Sequence, residues 1–235
     1  MDAIILAAGR GIRLKPLTDE IPKALLPVDG RALLEQHLIS LSKAGIDSFT
    51  IVVGFLGELV VSFLKQEGLT DKLDIEFAYQ RRQLGSAHAL SQAKIPQSDY
   101  LVSACDCLYP EKYLKDFLKF HLTGGQNISL VLKKLSAEEM SKSSSVSMDK
   151  DRITGIIEKP SRKDVLSPMA CAPLYIFPPE SEGFIQKVGK SKRGEYETTS
   201  VIQDMLDAGY IARGLKVREW VHLTDTQDLL RLNFP

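Results

Sequence analysis

The stretch LAAGRGIRLKPLT occupies residues 6–18 and places Gly9 and Gly11 directly after the apolar run AIILA at residues 3–7. That run predicts a buried strand, because its residues are apolar without alternation. Glycines after a strand let backbone N–H groups approach phosphate oxygens without interference from a Cβ. The spacing fits neither the dinucleotide fingerprint, whose third glycine would stand at Leu14, nor the P-loop. On spacing alone the glycines indicate either a phosphate-binding loop or a plain strand-to-helix turn.

Basic residues near these glycines favour the phosphate-binding interpretation. Arg13 lies two residues past the second glycine, and Lys23 follows Pro22, which restricts the backbone around it. Arginine suits bidentate recognition of phosphate, whereas lysine acts as a point charge. We interpret Lys15 as a solvated surface charge.

Length and composition favour one enzyme-sized domain. The chain has 235 residues, 44% of them hydrophobic, and its 30 Lys and Arg balance its 30 Asp and Glu. A formal net charge of zero disfavours a nucleic-acid or polybasic membrane surface.

The three cysteines, Cys105, Cys107 and Cys171, have no framework spacing and indicate free thiols. The C-x-C pair could bind metal, but we favour small apolar residues at the end of a buried strand. With no signal peptide or spanning segment recognised, we predict a cytoplasmic protein with no membrane partner.

The first half of the chain alternates apolar runs with amphipathic patterns. This alternation predicts an α/β fold with a doubly wound, mostly parallel sheet, in which ligands bind beyond the carboxyl ends of the strands. The residues that we expect at that edge are the glycine loop, Gln80 and Asp106. The predicted strands are 3–7, 48–54, 74–80 and 100–105, and the predicted helices are 31–45, 58–68, 86–93 and 110–122.

The second half contains more strands, and we predict that these form a small β-rich sub-lobe of the same domain. The polar segment 136–145 is interpreted as a surface loop without a function. The predicted strands are 127–135, a hairpin over 144–160 that turns at 149–151, 170–177 and 215–223, and the predicted helices are 198–209 and 225–233.

LAAGRGIRLKPLT followed by PKALLP resembles the signature of the sugar-phosphate nucleotidylyltransferases, which include glucose-1-phosphate thymidylyl- and uridylyltransferases. The one departure is Ile12, where the family has threonine. The resemblance continues through YQRRQLGSAHAL, SACDCLYP, GIIEKP, RGEYETT and WVHLTDTQDLLRLN, and so covers nearly the whole chain. It implies a nucleotide-diphospho-sugar transferase fold, Rossmann-like, in a single domain over residues 1–235. Residues 1–125 would form the nucleotide-binding half and residues 126–235 the sugar-phosphate-binding half.

The resemblance assigns roles to particular residues. Its catalytic group is Arg13, Lys23 and Asp106, the last also a magnesium ligand. Its nucleotide-binding group is Leu6, Ala7, Ala8, Gly9, Gly11, Gln80 and Gly85, and its sugar-phosphate-binding group is Glu158, Lys159, Arg193 and Glu197. From the residues alone, Asp106 could instead cap a helix, Glu158 and Lys159 could form an ion pair at a hairpin end, and Arg193 could be solvated.

Two departures from the family pattern concern the backbone near the nucleotide and the metal. Cys105 replaces the usual glycine before Asp106, and His222 stands where the family has its second metal-binding aspartate. Magnesium prefers oxygen ligands, for which an imidazole is a poor substitute. We therefore consider a metal held by Asp106, phosphate oxygens and water, a contribution from Asp225, or the use of Mn²⁺ or Co²⁺. His222 could equally be a structural residue.

The resemblance implies an enzyme that joins an NTP, dTTP or UTP, to a hexose 1-phosphate such as glucose 1-phosphate and releases pyrophosphate. A phosphate oxygen is already anionic, so we expect positioning and electrostatics without a general base. Two alternatives are a CTP-dependent cytidylyltransferase acting on a non-sugar phosphate and a catalytically silent, nucleotide-sugar-binding regulatory paralogue. We expect a monomer or small homo-oligomer, no nucleic-acid partner and no carboxy-terminal β-helix acyltransferase domain.

Overall fold

The computed structural model describes residues 1–218 and 220–233. The strands are β1 Asp2–Ala7, β2 Pro27–Val28, β3 Arg31–Ala32, β4 Ser48–Val53, β5 Asp74–Tyr79, β6 Tyr100–Ala104, β7 Cys107–Leu108, β8 Ile128–Lys134, β9 Ser144–Asp149, β10 Arg152–Glu158, β11 Met169–Phe177, β12 Ala212–Lys216 and β13 Val221–His222. The α-helices are α1 Leu33–Ala44, α2 Gly57–Gln66, α3 Leu69–Lys72, α4 Ser86–Leu90, α5 Glu111–Gly124, α6 Ala137–Met140, α7 Ser181–Lys187, α8 Thr198–Asp207 and α9 Thr226–Asn233.

The main sheet has nine strands in the order β5-β4-β1-β6-β11-β8-β12-β10-β9. Its first four strands pair in parallel, as continuous apolar runs separated by helices predict. From β11 onward the pairing is antiparallel except between β8 and β12. The predicted α/β fold is confirmed, but the sheet as a whole is mixed. The later strands extend this sheet instead of forming a sub-lobe with a sheet of its own, because β11 pairs directly with β6.

Side chains of β1 alternate between two apolar clusters, one on each face of the sheet. Ile5 belongs to the cluster formed with helices α1, α2 and α5, whereas Ile4 belongs to the cluster formed with α4 and α8. Both side chains are essentially unexposed. The helices therefore cover both faces and leave the carboxyl ends of the strands free to carry polar groups.

The predicted strand 215–223 is wrong as a single element. Residues 212–216 form β12 beside β8, whereas Val221 and His222 form β13 and pair with β7 in a separate two-stranded sheet. Glu219, within the predicted strand, lies outside the described residues. Apolar periodicity could not separate one strand from two short strands in different sheets, and it is the second pairing that brings His222 to the site.

The segment 136–145 is not the surface loop that its polarity predicts. Ser136 and Glu139 form a capping box that begins α6, and β9 starts at Ser144. Helix α7 is an element that the sequence analysis did not predict. Among the described residues, no helix combines the length and the apolar character needed to cross a bilayer.

Candidate active site

A cavity of about 360 Å³ lies where the carboxyl ends of β1 and β6 face the end of β10 and the middle of β11. Of the residues predicted from the sequence it collects Leu6, Gly11, Arg13, Lys23, Asp106, Glu158, Lys159, Arg193, Glu197 and His222. The structure does not place Ala7, Ala8, Gly9, Gln80, Gly85 or Asp225 in its lining. Asp225 instead lines a neighbouring cavity and accepts hydrogen bonds from the backbone of Gln227 and Asp228 at the start of α9.

The glycine loop holds its shape through Gly11, which has a φ of 61°. A Cβ at this position would lie 3.0 Å from Thr18 Cγ2 and 3.2 Å from Lys23 Cβ, so a side chain would disturb both neighbours. The Thr18 hydroxyl donates to the Gly11 carbonyl at 2.9 Å. The next three residues form a single 3₁₀ turn that carries Arg13. A Cβ at Gly9 would meet nothing within 4 Å, so any need for glycine there must come from a ligand.

Lys23 and Asp106 form an ion pair between two segments that are 83 residues apart. Lys23 Nζ lies 2.6 Å from Asp106 Oδ2, and their side chains are only 15% and 22% exposed. Burial opposes both charges, but the pairing outweighs it: the pKa of Lys23 is raised, and Lys23 and His222 together hold the pKa of Asp106 well below its usual range. Asp106 lies between β6 and β7, and α5 begins after Pro110, so it does not cap that helix.

His222 reaches the same carboxylate from β13. Its Nε2 lies 3.6 Å from Asp106 Oδ2, and the ligand atoms of Asp106, Cys107 and His222 all lie within 4.8 Å of one another. Cys107 and the Asp106 carboxylate raise the pKa of His222 well above its ordinary value. Burial raises the pKa of the Cys107 thiol. This is a mixed donor set of oxygen, nitrogen and sulfur. The sequence analysis interprets the sulfur donor, Cys107, as a core residue.

The end of the 144–158 hairpin supplies a second charged pair. Lys159 Nζ lies 3.7 Å from Glu158 Oε1, so the ion pair considered from the sequence does form, and it forms inside the cavity. Lys159 has a positive φ of 42°, and its N–H donates to the Ser143 carbonyl at 2.9 Å. Burial raises the pKa of Glu158, while Lys159 opposes that shift.

Arg193 and Glu197 form a third pair at the start of α8. The guanidinium binds the buried Glu197 carboxylate and also lies 3.5 Å from Glu195 Oε1. Glu197 occupies the N-cap position of α8, where helix-dipole charge favours an acidic group. Arg193 is therefore a paired residue of the cavity and not the solvated residue that we had considered.

The cavity as a whole is nearly neutral. Five cationic side chains line it (Arg13, Lys23, Lys142, Lys159 and Arg193) against four acidic ones (Asp106, Glu158, Glu195 and Glu197). Within residues 1–218 and 220–233, Arg13 and Lys142 have no ion-pair partner, whereas the other three cations do. The excess is one positive charge with His222 neutral, and two with His222 protonated, the form that its raised pKa favours.

Gln80 and Gly85 lie beside this cavity, on a segment bonded to the second half of the chain. Tyr196 N–H donates to the Leu84 carbonyl and the Tyr196 carbonyl accepts from Ala87, each at 2.9 Å. A Cβ on Gly85 would lie 2.2 Å from the Tyr196 carbonyl oxygen, so only glycine fits this approach. The predicted base-binding segment is thus hydrogen-bonded to Tyr196, the residue that precedes Glu197.

Sequence reasoning missed several groups that line the cavity, among them Lys142, Ser143 and Thr198. Lys142 and Ser143 come from the polar segment that was interpreted as functionless, and no periodic signal marks them. Thr198 lines the cavity with a buried hydroxyl that has no hydrogen-bond partner among the described residues. Its place directly after Glu197, within the recognised RGEYETT segment, is a signal that could have found it.

Comparisons with known proteins show the family to which the chain belongs. A model of the nucleotidyl transferase family matches residues 2–233, and the chain belongs to this family. It is 28% identical over 235 residues to "Bifunctional protein GlmU" of Methanococcus maripaludis, covering 99% of this chain and 54% of that protein. It is 29% identical over 222 residues to the UTP--glucose-1-phosphate uridylyltransferase AglF of Haloferax volcanii, covering 94% of this chain and 89% of that protein. The chain thus spans about half the length of the GlmU relatives that it matches.

Solved structures resemble the fold closely. A UDP-glucose pyrophosphorylase complexed with UDP-glucose superposes with a TM-score of 0.87 at 19% identity, covering 98% of this chain and 96% of that one. A putative glucose-1-phosphate thymidylyltransferase from Bacillus anthracis gives 0.85 at 24% identity, covering 99% and 94%. At these identities the likeness establishes the shared fold.

Proposed function

We propose that this chain transfers a nucleotidyl group from an NTP to a hexose 1-phosphate. The observation that carries the proposal is the single cavity that holds Lys23 and Asp106 together with Glu158, Lys159 and Arg193. Cations suited to phosphate and buried carboxylates suited to sugar hydroxyls meet there within one ligand-sized volume. Relatives named as uridylyl- and thymidylyltransferases of glucose 1-phosphate support this choice.

The proposed reaction is an in-line displacement at the α-phosphorus. A phosphate oxygen of the sugar 1-phosphate forms a bond to that phosphorus, and the bond to the bridging oxygen of the β-phosphate breaks. Pyrophosphate leaves with the bonding electron pair, and the product is an NDP-sugar. Because the attacking oxygen is already anionic, Arg13 and Lys23 need only hold and neutralise the phosphates.

A divalent cation is part of this proposal because of the charge balance. An NTP carries about four negative charges and a sugar phosphate about two, whereas the cavity offers an excess of one positive charge, or two with His222 protonated. Asp106 supplies one hard carboxylate, which suits a Mg²⁺ held largely by substrate phosphates and water. His222 and Cys107 are softer donors, which suit Co²⁺ better than Mg²⁺ or Mn²⁺. The cation would neutralise phosphate charge.

The substrates follow from the two halves of the sheet. We propose that residues 1–125 bind the NTP, dTTP or UTP, at the switch point of a doubly wound arrangement between β1 and β6. Residues 126–235 would bind a hexose 1-phosphate such as glucose 1-phosphate. In this arrangement Lys159 and Arg193 contact the sugar phosphate, and Glu158 and Glu197 contact sugar hydroxyls.

The test is a matrix of NTPs and sugar 1-phosphates, each assayed for pyrophosphate release with Mg²⁺, Mn²⁺ and Co²⁺. We expect release from at least one NTP and hexose 1-phosphate pair, dependent on both substrates and on the metal. Release with CTP and a non-sugar phosphate would instead support a cytidylyltransferase. Binding of a nucleotide sugar without turnover of any pair would support a silent regulatory paralogue and overturn the proposal.

A further inference from the structure

The side chain of Gln80 is held in a fixed orientation beside the cavity. It follows β5, is 3% exposed, and its amide nitrogen Nε2 lies 3.0 Å from the Gly85 carbonyl oxygen. A carbonyl can only accept a hydrogen bond, so the atom that faces it must be the NH₂ group and not the amide oxygen. The orientation of the amide is therefore determined by its neighbour.

His88 binds the second proton of the same amide. Gln80 Nε2 lies 2.9 Å from His88 Nδ1, on the first turn of α4. Since that nitrogen is already established as a donor, His88 Nδ1 must accept, which requires a neutral ring with its proton on Nε2. Both N–H groups of Gln80 are then used.

The amide oxygen of Gln80 is the group left for a ligand. Among the described residues no donor binds Oε1. This oxygen is also absent from the fully buried side-chain atoms that lack a partner, so it is not completely closed off from a ligand. An oxygen accepts and cannot donate, so it complements a base that presents a ring N–H. Uracil and thymine present N3–H, and guanine N1–H, whereas cytosine and adenine carry a lone pair on the corresponding ring nitrogen.

From this geometry we propose that His88 is the positioning residue that restricts Gln80 to nucleobases with a ring N–H donor. The proposal rests on the proposed nucleotidyl transfer. Uracil and thymine are the bases favoured both by the Gln80 geometry and by the proposed choice of dTTP or UTP. His88 acts through Gln80 and does not itself contact the substrate. Without His88 only the Gly85 carbonyl opposes rotation of the amide, so the rotated amide that can bind cytosine costs less free energy.

The surroundings of His88 support this role. The His88 ring lies 6.2 Å from the ring of Tyr196, tilted by 33°. The backbone of Tyr196 binds the segment that carries Gly85, so the acceptors of the Gln80 amide belong to one hydrogen-bonded unit. A ring packed in this way keeps its Nδ1 directed at Gln80.

Two variants of His88 separate positioning from packing. His88→Ala removes the acceptor, whereas His88→Asn keeps an acceptor at the same number of bonds from the backbone. For His88→Ala we expect the KM for the preferred NTP to rise about tenfold with kcat little changed, because one hydrogen bond in the free enzyme is lost. The preference for that NTP over CTP, measured as the ratio of kcat/KM values, should fall about tenfold as well. His88→Asn should restore both, and Gln92→Ala, an exposed change just beyond α4, should alter neither.

Equal behaviour of the alanine and asparagine variants would overturn the proposal, as would a wild-type preference for CTP or ATP. In both cases the wild-type enzyme still releases pyrophosphate, so the proposed function stands. A wild-type enzyme that turns over no pair overturns the proposed function instead. NMR of the ring nitrogens then tests the His88 geometry without activity: a proton on Nε2 and none on Nδ1 is expected, and a proton on Nδ1 contradicts it.

Discussion

The two ends of the cavity are built from charged pairs of different kinds. At the proposed phosphate end, Lys23 and Asp106 are 83 residues apart and meet because β1 and β6 are neighbours in the sheet. At the proposed sugar end, Lys159 follows Glu158 directly, and Arg193 lies four residues from its partner Glu197. The first end therefore depends on the whole parallel half of the sheet, whereas the second forms from local segments.

This difference indicates how each end responds to substitution. A buried long-range pair leaves an uncompensated charge when one partner is removed. A local pair whose cation is more exposed loses mainly a contact to the ligand when that cation is removed. The phosphate end should therefore show the largest effects on turnover, and the sugar end should show smaller effects confined to one substrate.

The largest expected effect is that of Lys23→Ala. Removing this amine leaves the Asp106 carboxylate without its partner at 2.6 Å and removes a cation from the transferring phosphates. We expect kcat to fall by roughly 10²–10³-fold. Lys15→Ala is the matched control, because Lys15 pairs with Asp19 on the surface and is 54% exposed. Steady-state pyrophosphate release measures kcat for both variants. A fall in kcat of less than about tenfold for Lys23→Ala would show that Lys23 does not act on the transferring phosphates.

Gly85→Ala tests the connection between the two ends. The new Cβ would lie 2.2 Å from the Tyr196 carbonyl oxygen, and Gly85 has a φ of 122°, so the variant combines a clash with backbone strain. We expect the free energy of unfolding to fall by about 3 kcal/mol. Gly9→Ala should leave it unchanged, because nothing lies within 4 Å of its Cβ. Urea denaturation compares the two, and equal stability would contradict the close approach of the two segments.

A buried neutral histidine, His37, contacts β6, the strand that precedes Asp106. His37 donates to or accepts from Ser103 at 2.9 Å, and burial lowers its pKa to about 4, against a smaller opposing effect of Asp106. Below a pH of about 6.5 the unfolded chain takes up a proton that the folded chain excludes, so stability falls as the pH is lowered from about 6.5 toward 4.

Between pH 7 and pH 5 this histidine should remove about 2 kcal/mol from the free energy of unfolding. In His37→Gln, which cannot titrate but can still reach Ser103, the difference between the two pH values should shrink by that amount. Urea denaturation of both proteins at both pH values measures it. An unchanged pH dependence in the variant would show that other groups are responsible.

Arg193→Gln should have the smallest of these effects, and the effect should be confined to one substrate. The guanidinium faces the cavity and its side chain is 34% exposed, so its loss mainly removes a contact to the sugar phosphate, although it also leaves the Glu197 and Glu195 carboxylates without this partner. We expect the KM for the sugar 1-phosphate to rise about tenfold, while the KM for the NTP stays near its wild-type value. Arg213→Gln, at an ion pair with Asp151 away from the cavity, serves as the control. Equal changes in both KM values would contradict the separation of the two ends.

The sequence predicted the parallel half of the molecule better than the antiparallel half, for a physical reason. Strands such as β1 and β4 are buried on both faces and read as apolar runs bounded by helices. Residues 212–222 have a similar pattern but divide between two sheets, which depends on strand partners that lie 84 or more residues earlier in the chain. The Lys23–Asp106 pair itself has no local signature, although both residues lay in recognised motifs.

Charge compensation is the part of the site that sequence could not supply. Motifs identified cations and carboxylates one by one, but only the folded chain shows that Lys23, Lys159 and Arg193 are already paired while Arg13 is not, among the described residues. The orientation of Gln80 likewise follows from the positions of Gly85 and His88 and not from the motif.

The central claim is that one cavity joins the phosphorus of an NTP to the oxygen of a sugar phosphate. Phosphorus NMR of a mixture of the protein, the best NTP and hexose 1-phosphate pair and a divalent cation tests it at the level of bonds. The account predicts that the α-phosphate becomes linked to the sugar phosphate and that the β- and γ-phosphates appear together as pyrophosphate. Release of inorganic phosphate or of a nucleoside monophosphate, with the sugar phosphate unchanged, would contradict it.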